Sequence, residues 1–228
     1  MNIIMTGSTS FVGAATVREL LRRGHTVTAI VRPKSSKLDT ILEGNEEALL
    51  SGRLLVTEND LSEPEKLLEK VTKPQEVFCH FGWGGSGSVS RTDKALQEKN
   101  MEISLETIRT AKALGCKKFL FSGSQAEYGM HQDLITENTV CEPKSLYGEA
   151  KLAMREKGEK LCDELGLRYI HARIFSAYGP GDHPWTLVES CLDAFLNNRE
   201  MSLGACTQNW NFLYIDDLAR GMAALCEA

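Results

Sequence analysis

Thr6-Gly7-Ser8-Thr9-Ser10-Phe11-Val12-Gly13 follows the short apolar run Asn2-Ile3-Ile4-Met5. It leads into a stretch, Phe11 to Arg23, whose apolar residues Val12, Ala15, Val17, Leu20 and Leu21 recur at helical spacing. A strand, a glycine turn and a helix in that order bring unpaired amides and a partial positive charge up to a pyrophosphate. Gly7 lets the backbone approach such a ligand, and Gly13 lets the helix pack closely on the strand. Ser10, Phe11 and Val12 open the helix on the ligand side. Ser10 stands where a middle glycine is usual, and taken alone the stretch also fits an ordinary strand–turn–helix.

Outward from this turn, short apolar runs alternate with amphipathic ones. Strands are predicted at Thr26–Val31, Arg53–Thr57, Glu76–Phe81, Lys117–Ser122 and Arg168–Phe175. Helical patterns fall between them at Leu38–Leu50, Glu63–Val71, Lys94–Leu114 and Ser145–Leu165. Such alternation implies right-handed crossovers and an α/β, doubly wound parallel sheet. A Gly/Ser segment, Gly82 to Ser88, follows the fourth strand and suits a ligand-facing loop. After Gly179 the rhythm weakens, leaving a helix at Trp185–Asn197, a strand at Phe212–Ile215 and a helix at Asp217–Cys226.

Composition narrows the function classes. The chain has 228 residues, 42% hydrophobic and 25% charged, with a formal charge of −5. That is ordinary for a soluble globular protein, and without a basic tract it argues against nucleic acid as a partner. Seven cysteines at scattered spacing, with no C-x-x-C, form neither a disulfide framework nor a zinc site. Reduced thiols fit a cytoplasmic protein. No signal peptide is evident, and no apolar stretch approaches the roughly 18 residues of a membrane span.

The end of the second strand bears on cofactor choice. An acid there hydrogen-bonds a ribose diol. This chain has Val31-Arg32-Pro33-Lys34-Ser35-Ser36-Lys37 instead. A guanidinium binds a 2′-phosphate bidentately, so Arg32, with Lys37, favours NADP over NAD. A solvated basic loop is the plainer alternative.

Tyr147 and Lys151 lie four apart in a predicted helix and project from one face. A phenol with a pKa of about 10 is a poor base near neutrality. A nearby ammonium favours the phenolate and makes Tyr147 a proton donor and acceptor for a carbinol or carbonyl. Upstream, Phe121-Ser122-Gly123-Ser124-Gln125 ends the fifth strand, where such sheets bind ligands. Ser124 can hydrogen-bond the same substrate oxygen, although a turn-forming serine is the commoner role. The combination of dinucleotide turn, serine, tyrosine and lysine carries the weight.

With these motifs the chain resembles an extended short-chain dehydrogenase/reductase of the NAD-dependent epimerase/dehydratase type over essentially its whole length. The marks are Thr6-Gly7 through Gly13, Asn100, the Ser124 segment, Tyr147-Gly148-Glu149-Ala150-Lys151, Arg173 to Gly181, and Phe212 to Ala219. The resemblance implies a Rossmann-like dinucleotide-binding domain over residues 1–179. It also implies a small, partial substrate-binding lobe over 180–228, interleaved with the core and truncated soon after Asp216-Asp217. Asp60 and Leu61 flank adenine in this reading, and Phe81, Gly82, Trp83 and Ser122 lie along the cofactor. Asn100 positions the catalytic helix, and Phe175 and Tyr178 touch the nicotinamide. Lys151 also binds the nicotinamide ribose. Gln125, Ser176, Trp185 and Asn209 fall on the substrate side, with Ser176 replacing a usual asparagine.

The implied chemistry is hydride transfer at a sugar carbon of a nucleotide-sugar, by an epimerase or a 4-ketoreductase using NADP or NAD. A dehydratase needs an Asp-Glu pair after the catalytic hydroxyl, and here Gln125 and Ala126 hold those places. The alternative is a dinucleotide-sensing or scaffold protein without turnover. The resemblance also implies a homodimer through the long fourth helical pattern and the Tyr147-Lys151 helix, with Ile103, Ile108, Leu152 and Leu161 as apolar contacts. His80 reads as a satisfied core histidine.

Overall fold

Ile3, Ile4 and Met5 are all fully buried, although successive side chains of a strand point to opposite faces. Both faces of the first strand, β1 (Asn2–Thr6), are therefore covered, as in the middle of a parallel sheet. The structure, a computed structural model, describes residues 1–85 and 89–228. Five further strands complete the sheet: β2 (Thr26–Val31), β3 (Leu54–Glu58), β4 (Val77–His80), β5 (Lys118–Ser124) and β6 (Arg168–Ile174). Their order is β3-β2-β1-β4-β5-β6, and every pairing is parallel.

Alternation sorts the apolar residues into two cores. Ile3, Met5, Val27, Ala29 and Cys79 join one core with α1 (Phe11–Arg22), α2 (Asp39–Leu42), α3 (Glu46–Leu50) and α8 (Ile215–Glu227). Ile4, Ile30, Phe78, Phe119 and Phe121 join the other with α4 (Leu67–Lys70), α5 (Lys94–Ala113) and α6 (Leu146–Leu165). Ser145 caps α6 by accepting the Gly148 amide, and Gly166 ends it with φ +66°.

Several boundaries differ from the sequence pattern, each for a local reason. Gly44, at φ +74°, breaks the expected Leu38–Leu50 helix into α2 and α3. The Glu63–Val71 helix is a 3-10 turn, Pro64–Lys66, running into α4. The last long strand divides at Phe175. Beyond it β7 (Ser176–Tyr178) leaves the main sheet and pairs with β8 (Phe212–Tyr214). The lone helix α7 (Leu187–Leu196) lies between them in the chain, and Leu187, Leu192, Phe195 and Leu196 on it are exposed.

Within residues 180–228, α8 lies in the sheet's own helix layer, because Leu218, Met222, Ala223 and Cys226 are buried in the first core. Ile108, expected at a subunit contact, is likewise fully buried in this chain's own second core. Ile103, Leu152 and Leu161 are half-buried, and no large apolar side chain of α5 or α6 is exposed.

His80 is a core histidine, as the sequence suggests. Its Nδ1 lies 2.9 Å from the Thr6 hydroxyl and its Nε2 3.0 Å from that of Ser104. Because Ser104 donates to the Asn100 carbonyl, it accepts from Nε2–H, and Nδ1 then accepts from Thr6. Burial pushes the His80 pKa down to about 3, with the Lys151 charge adding to the effect. The imidazole is therefore neutral. All seven cysteines are free thiols.

Candidate active site

The strand order reverses between β1 and β4, and the crevice at the carboxyl ends of the strands opens there. It is a cleft of about 550 Å³. Gly7, at φ +69°, turns the chain from β1 towards α1. A Cβ on it would lie 2.7 Å from the backbone of Phe81 and Gly82, so only glycine lets the two strand ends meet. Ser10 takes the middle-glycine place as the N-cap of α1. Its hydroxyl donates to the Gly7 carbonyl at 2.7 Å and accepts the Gly13 amide at 3.1 Å. Gly13 packs against that same carbonyl, which a Cβ would approach to 2.1 Å. The amides of Phe11 and Val12 have no acceptor among the described residues, which suits them to a phosphate.

Most of the expected cofactor residues share this cleft. Gly7, Ser10, Phe11 and Val12 line one side, and Arg32, Lys37, Asp60 and Leu61 line the far end. Phe81, Gly82, Trp83, Ser122, Tyr147 and Lys151 line the rest. The Asp60 carboxyl is held below its usual range by the Ser62 hydroxyl and amide, with smaller help from Lys99 and Arg32. Gly13 lies behind the turn, and Asn100 works at one remove. The Asn100 amide accepts the Gly84 N–H at 3.0 Å and donates to the Gly84 carbonyl at 2.7 Å, pinning the loop after β4. Of the Gly/Ser loop itself, Gly84 and Gly85 line the cleft, while Ser86, Gly87 and Ser88 lie outside the described residues.

Lys151 is almost wholly buried at the cleft floor. Its ammonium donates to the Ser122 carbonyl at 2.8 Å. It lies 4.0 Å from the Trp83 ring centre, 4.5 Å from that of Phe121 and 5.7 Å from that of Tyr147. Burial pushes its pKa down to about 7, against the opposing pull of Glu127. Tyr147 stands edge-on to Trp83. Burial pushes its phenol above the ordinary range, opposed by the Ser124 hydroxyl and by Arg91, whose guanidinium carbon is 4.7 Å from the ring centre. Ser124 and Arg91 thus favour the phenolate, with the Lys151 ammonium 5.7 Å from the ring centre.

Other expected residues are placed away from the cleft wall. Ser124 is not among the cleft-lining residues; its hydroxyl bears on the Tyr147 phenol and also accepts the Ala126 amide at 3.2 Å. Gln125 is half-buried in the 3-10 turn Gln125–Glu127. Phe175 packs on Tyr128, and Tyr178 on Phe212 and Tyr214, and neither lines the cleft. The Ser176 hydroxyl accepts the Trp210 indole N–H at 2.7 Å. Trp185 is exposed and stacks on His183, which lines the cleft. Asn209 is exposed. Thr9, Asn59 and Ile174 line the cleft without having been singled out. Glu127, His171 and Arg173 form a buried cluster behind Ser124 that the sequence did not reveal. Its one legible sign was the alternation of His171 and Arg173 on a single face of β6. Among the described residues no group of three potential ligands is placed to hold a metal ion. No described helix is long and apolar enough to cross a membrane.

Known proteins resemble this chain in sequence and in fold. A protein of Bacillus subtilis (strain 168) named as an uncharacterized UDP-glucose epimerase is 27% identical over 99% of this chain and 72% of its own length. The dTDP-6-deoxy-L-talose 4-dehydrogenase (NAD(+)) of Aggregatibacter actinomycetemcomitans is 30% identical over 75% of this chain and 60% of its own. The structure of a UDP-glucose 4-epimerase from Thermotoga maritima with UDP-glucose superposes with a TM-score of 0.80 at 25% identity, covering 96% of this chain and 71% of that one. The present chain thus spans roughly two thirds of the length of such relatives. The pattern of one family matches residues 3–228. On that match the chain belongs to the NAD dependent epimerase/dehydratase family.

Proposed function

We propose that the protein moves a hydride between a nicotinamide cofactor and a sugar carbon of a nucleotide-sugar, as an epimerase or a 4-ketoreductase. The observation that carries this reading is the meeting of Tyr147 and Lys151 with the glycine turn in one cleft. The cleft fits a dinucleotide. The Phe11 and Val12 amides suit the pyrophosphate, the wall from Phe81 to Trp83 suits the flat ring, and Arg32 with Lys37 suits a charged ribose. When bound, the nicotinamide accepts or donates the hydride.

Tyr147 exchanges the proton of the sugar hydroxyl, and Ser124 steadies the same oxygen and the phenolate. Lys151, held on the Ser122 carbonyl, would hold the cofactor ribose. Arg32 and Lys37 favour NADP over NAD. Gln125 and Ala126, where a dehydratase has its acid pair, leave no elimination chemistry after oxidation. Residues 180–214 supply the sugar side of the site. The relatives named for UDP- and dTDP-sugars make those nucleotides the first to try.

The test is a panel of UDP- and dTDP-sugars and their 4-ketones, followed by NAD(P)H absorbance and by epimer analysis. Tyr147→Phe should abolish turnover while retaining cofactor binding. Undiminished turnover in that variant would remove the assignment. Cofactor binding without turnover across the panel would favour the dinucleotide-sensing reading.

A further inference from the structure

Behind the cleft lies a carboxylate that the proposed chemistry does not use. The Glu127 side chain is wholly buried. A buried carboxylate costs several kcal/mol unless its oxygens are paired. Those of Glu127 are paired on three sides. Oε1 accepts the Ser124 amide at 2.7 Å. His171 Nε2 lies 2.9 Å from Oε1 and 3.0 Å from Oε2, and Arg173 Nε donates to Oε2 at 2.8 Å. Burial raises the Glu127 carboxyl, but these donors outweigh it and hold the group below its usual range.

The clamp acts on one short piece of backbone. Ser124 and Glu127 form a reciprocal capping box, the serine hydroxyl taking an amide of the turn while the glutamate takes the serine's own amide. His171 and Arg173 alternate along β6 and pair in register with Phe121 and Gly123 of β5. Gly123 makes the approach possible. A Cβ there would stand 2.4 Å from His171 Nε2 and 2.7 Å from Glu127 Oε1. Arg173 is fixed in turn by the Tyr128 hydroxyl at 2.9 Å and the Cys141 sulfur at 3.4 Å. The serine that faces Tyr147 is thereby tied to the neighbouring strand through a charge sealed from water.

We propose that Glu127, clamped by His171 and Arg173, is the positioning residue that sets Ser124 against Tyr147. This rests on the role given to Ser124 under Proposed function. An apolar residue at 127 would fill the space but leave the Ser124 amide buried without an acceptor, and the hydroxyl would lose its fixed bearing on the phenol. Glutamine is a stringent probe. It keeps one acceptor oxygen but turns an NH₂ towards His171 or Arg173, so it cannot serve all three donors.

The experiment combines a resonance and a kinetic cycle on the full chain. In ¹⁵N-serine-labelled protein, the Ser124 amide proton, assigned by its loss in Ser124→Ala, should lie far downfield and move upfield in Glu127→Gln. With a nucleotide-sugar that the panel identifies, Glu127→Gln should lower kcat by about a hundredfold and leave KM and cofactor affinity unchanged. The double variant with Ser124→Ala should be no slower than Ser124→Ala alone. A Ser124 resonance that does not move in Glu127→Gln overturns the proposal. So does a kcat loss that multiplies with that of Ser124→Ala. If the parent protein turns over no nucleotide-sugar, the proposed activity fails and the resonance alone decides the role of Glu127. Glu127→Ala, with its melting temperature measured, provides the same resonance test should the glutamine variant fold poorly.

Discussion

The Thr6 hydroxyl and the His80 imidazole meet at 2.9 Å where β1 and β4 end, and together they tie the floor of the cleft to α5. Thr6 also accepts the Gly82 amide at 3.3 Å, so the chain of bonds runs from the loop after β4, through His80 and Ser104, to the Asn100 carbonyl. Both ends of this chain touch segments that shape the cofactor wall.

That arrangement makes an acid-sensitivity prediction. The His80 pKa is lowered from 6.5 to about 3 in the folded protein. Between those values the unfolded chain binds the extra proton, so His80 contributes stability that is complete above pH 6.5 and lost as pH falls towards 3. His80→Gln should be less stable at pH 7 by about 1–3 kcal/mol. It should also show a shallower fall in urea midpoint on acidification. Equal slopes in parent and variant would contradict the neutral, buried imidazole.

Lys151 gives a slope on the alkaline side. Its folded pKa is about 7 against 10.5 for a free lysine. Over that range the unfolded state holds more protons, so the parent gains stability as pH rises. Lys151→Met removes the buried charge. Its melting temperature should exceed the parent's at pH 6, and the gap should narrow towards pH 10, while turnover is lost throughout. A gap that stays constant with pH would show that the ammonium is not desolvated.

Gly13→Ala tests the turn. The added Cβ meets the Gly7 carbonyl oxygen at 2.1 Å, and backbone must shift to admit it. A destabilisation of about 1–3 kcal/mol is expected in urea melts. Dinucleotide affinity should fall with it, because the shift moves the Phe11 and Val12 amides. An alanine variant that binds NAD(P)H like the parent would mean that phosphate recognition does not depend on this contact.

Arg32→Glu tests cofactor choice. Reversing the charge at the far end of the cleft should weaken NADPH by about tenfold or more and change NADH much less, as read by fluorescence titration. The NADPH arm should also weaken with added salt. Equal losses for both cofactors would assign Arg32 to the adenine surroundings common to the two.

The sheet was legible because its strands are apolar runs buried on both faces, and the glycine turn because its conformations admit little else. Ser10 shows how an apparent departure is absorbed: the hydroxyl supplies the cap that α1 needs. In the cleft lining, Gly7, Ser10, Arg32, Tyr147 and Lys151 were readable from local pattern, and Asp60, Leu61 and Phe81 to Trp83 only from the family resemblance. The break at Gly44 was masked by helical periodicity on either side. The clamp on Ser124 was invisible for a different reason. Glu127 meets His171 and Arg173 only because β5 and β6 lie side by side, and no local spacing encodes a contact across 44 or 46 residues. Phe175 and Tyr178 are absent from the cleft lining because Phe175 packs on Tyr128 where β6 ends, and Tyr178, on β7, takes its aromatic neighbours from β8.

The seating of α8 against α1 has an evolutionary corollary. β6 leads into the 175–214 stretch from the sheet, and α8 returns the chain to the helix layer that covers one face of that sheet. The stretch is thus moored at each side to the dinucleotide scaffold, with Ala177 and Leu213 packed against the first core. Grafting a counterpart from another member of the family between Ile174 and Ile215 should change which sugar is admitted and leave the dinucleotide fold standing.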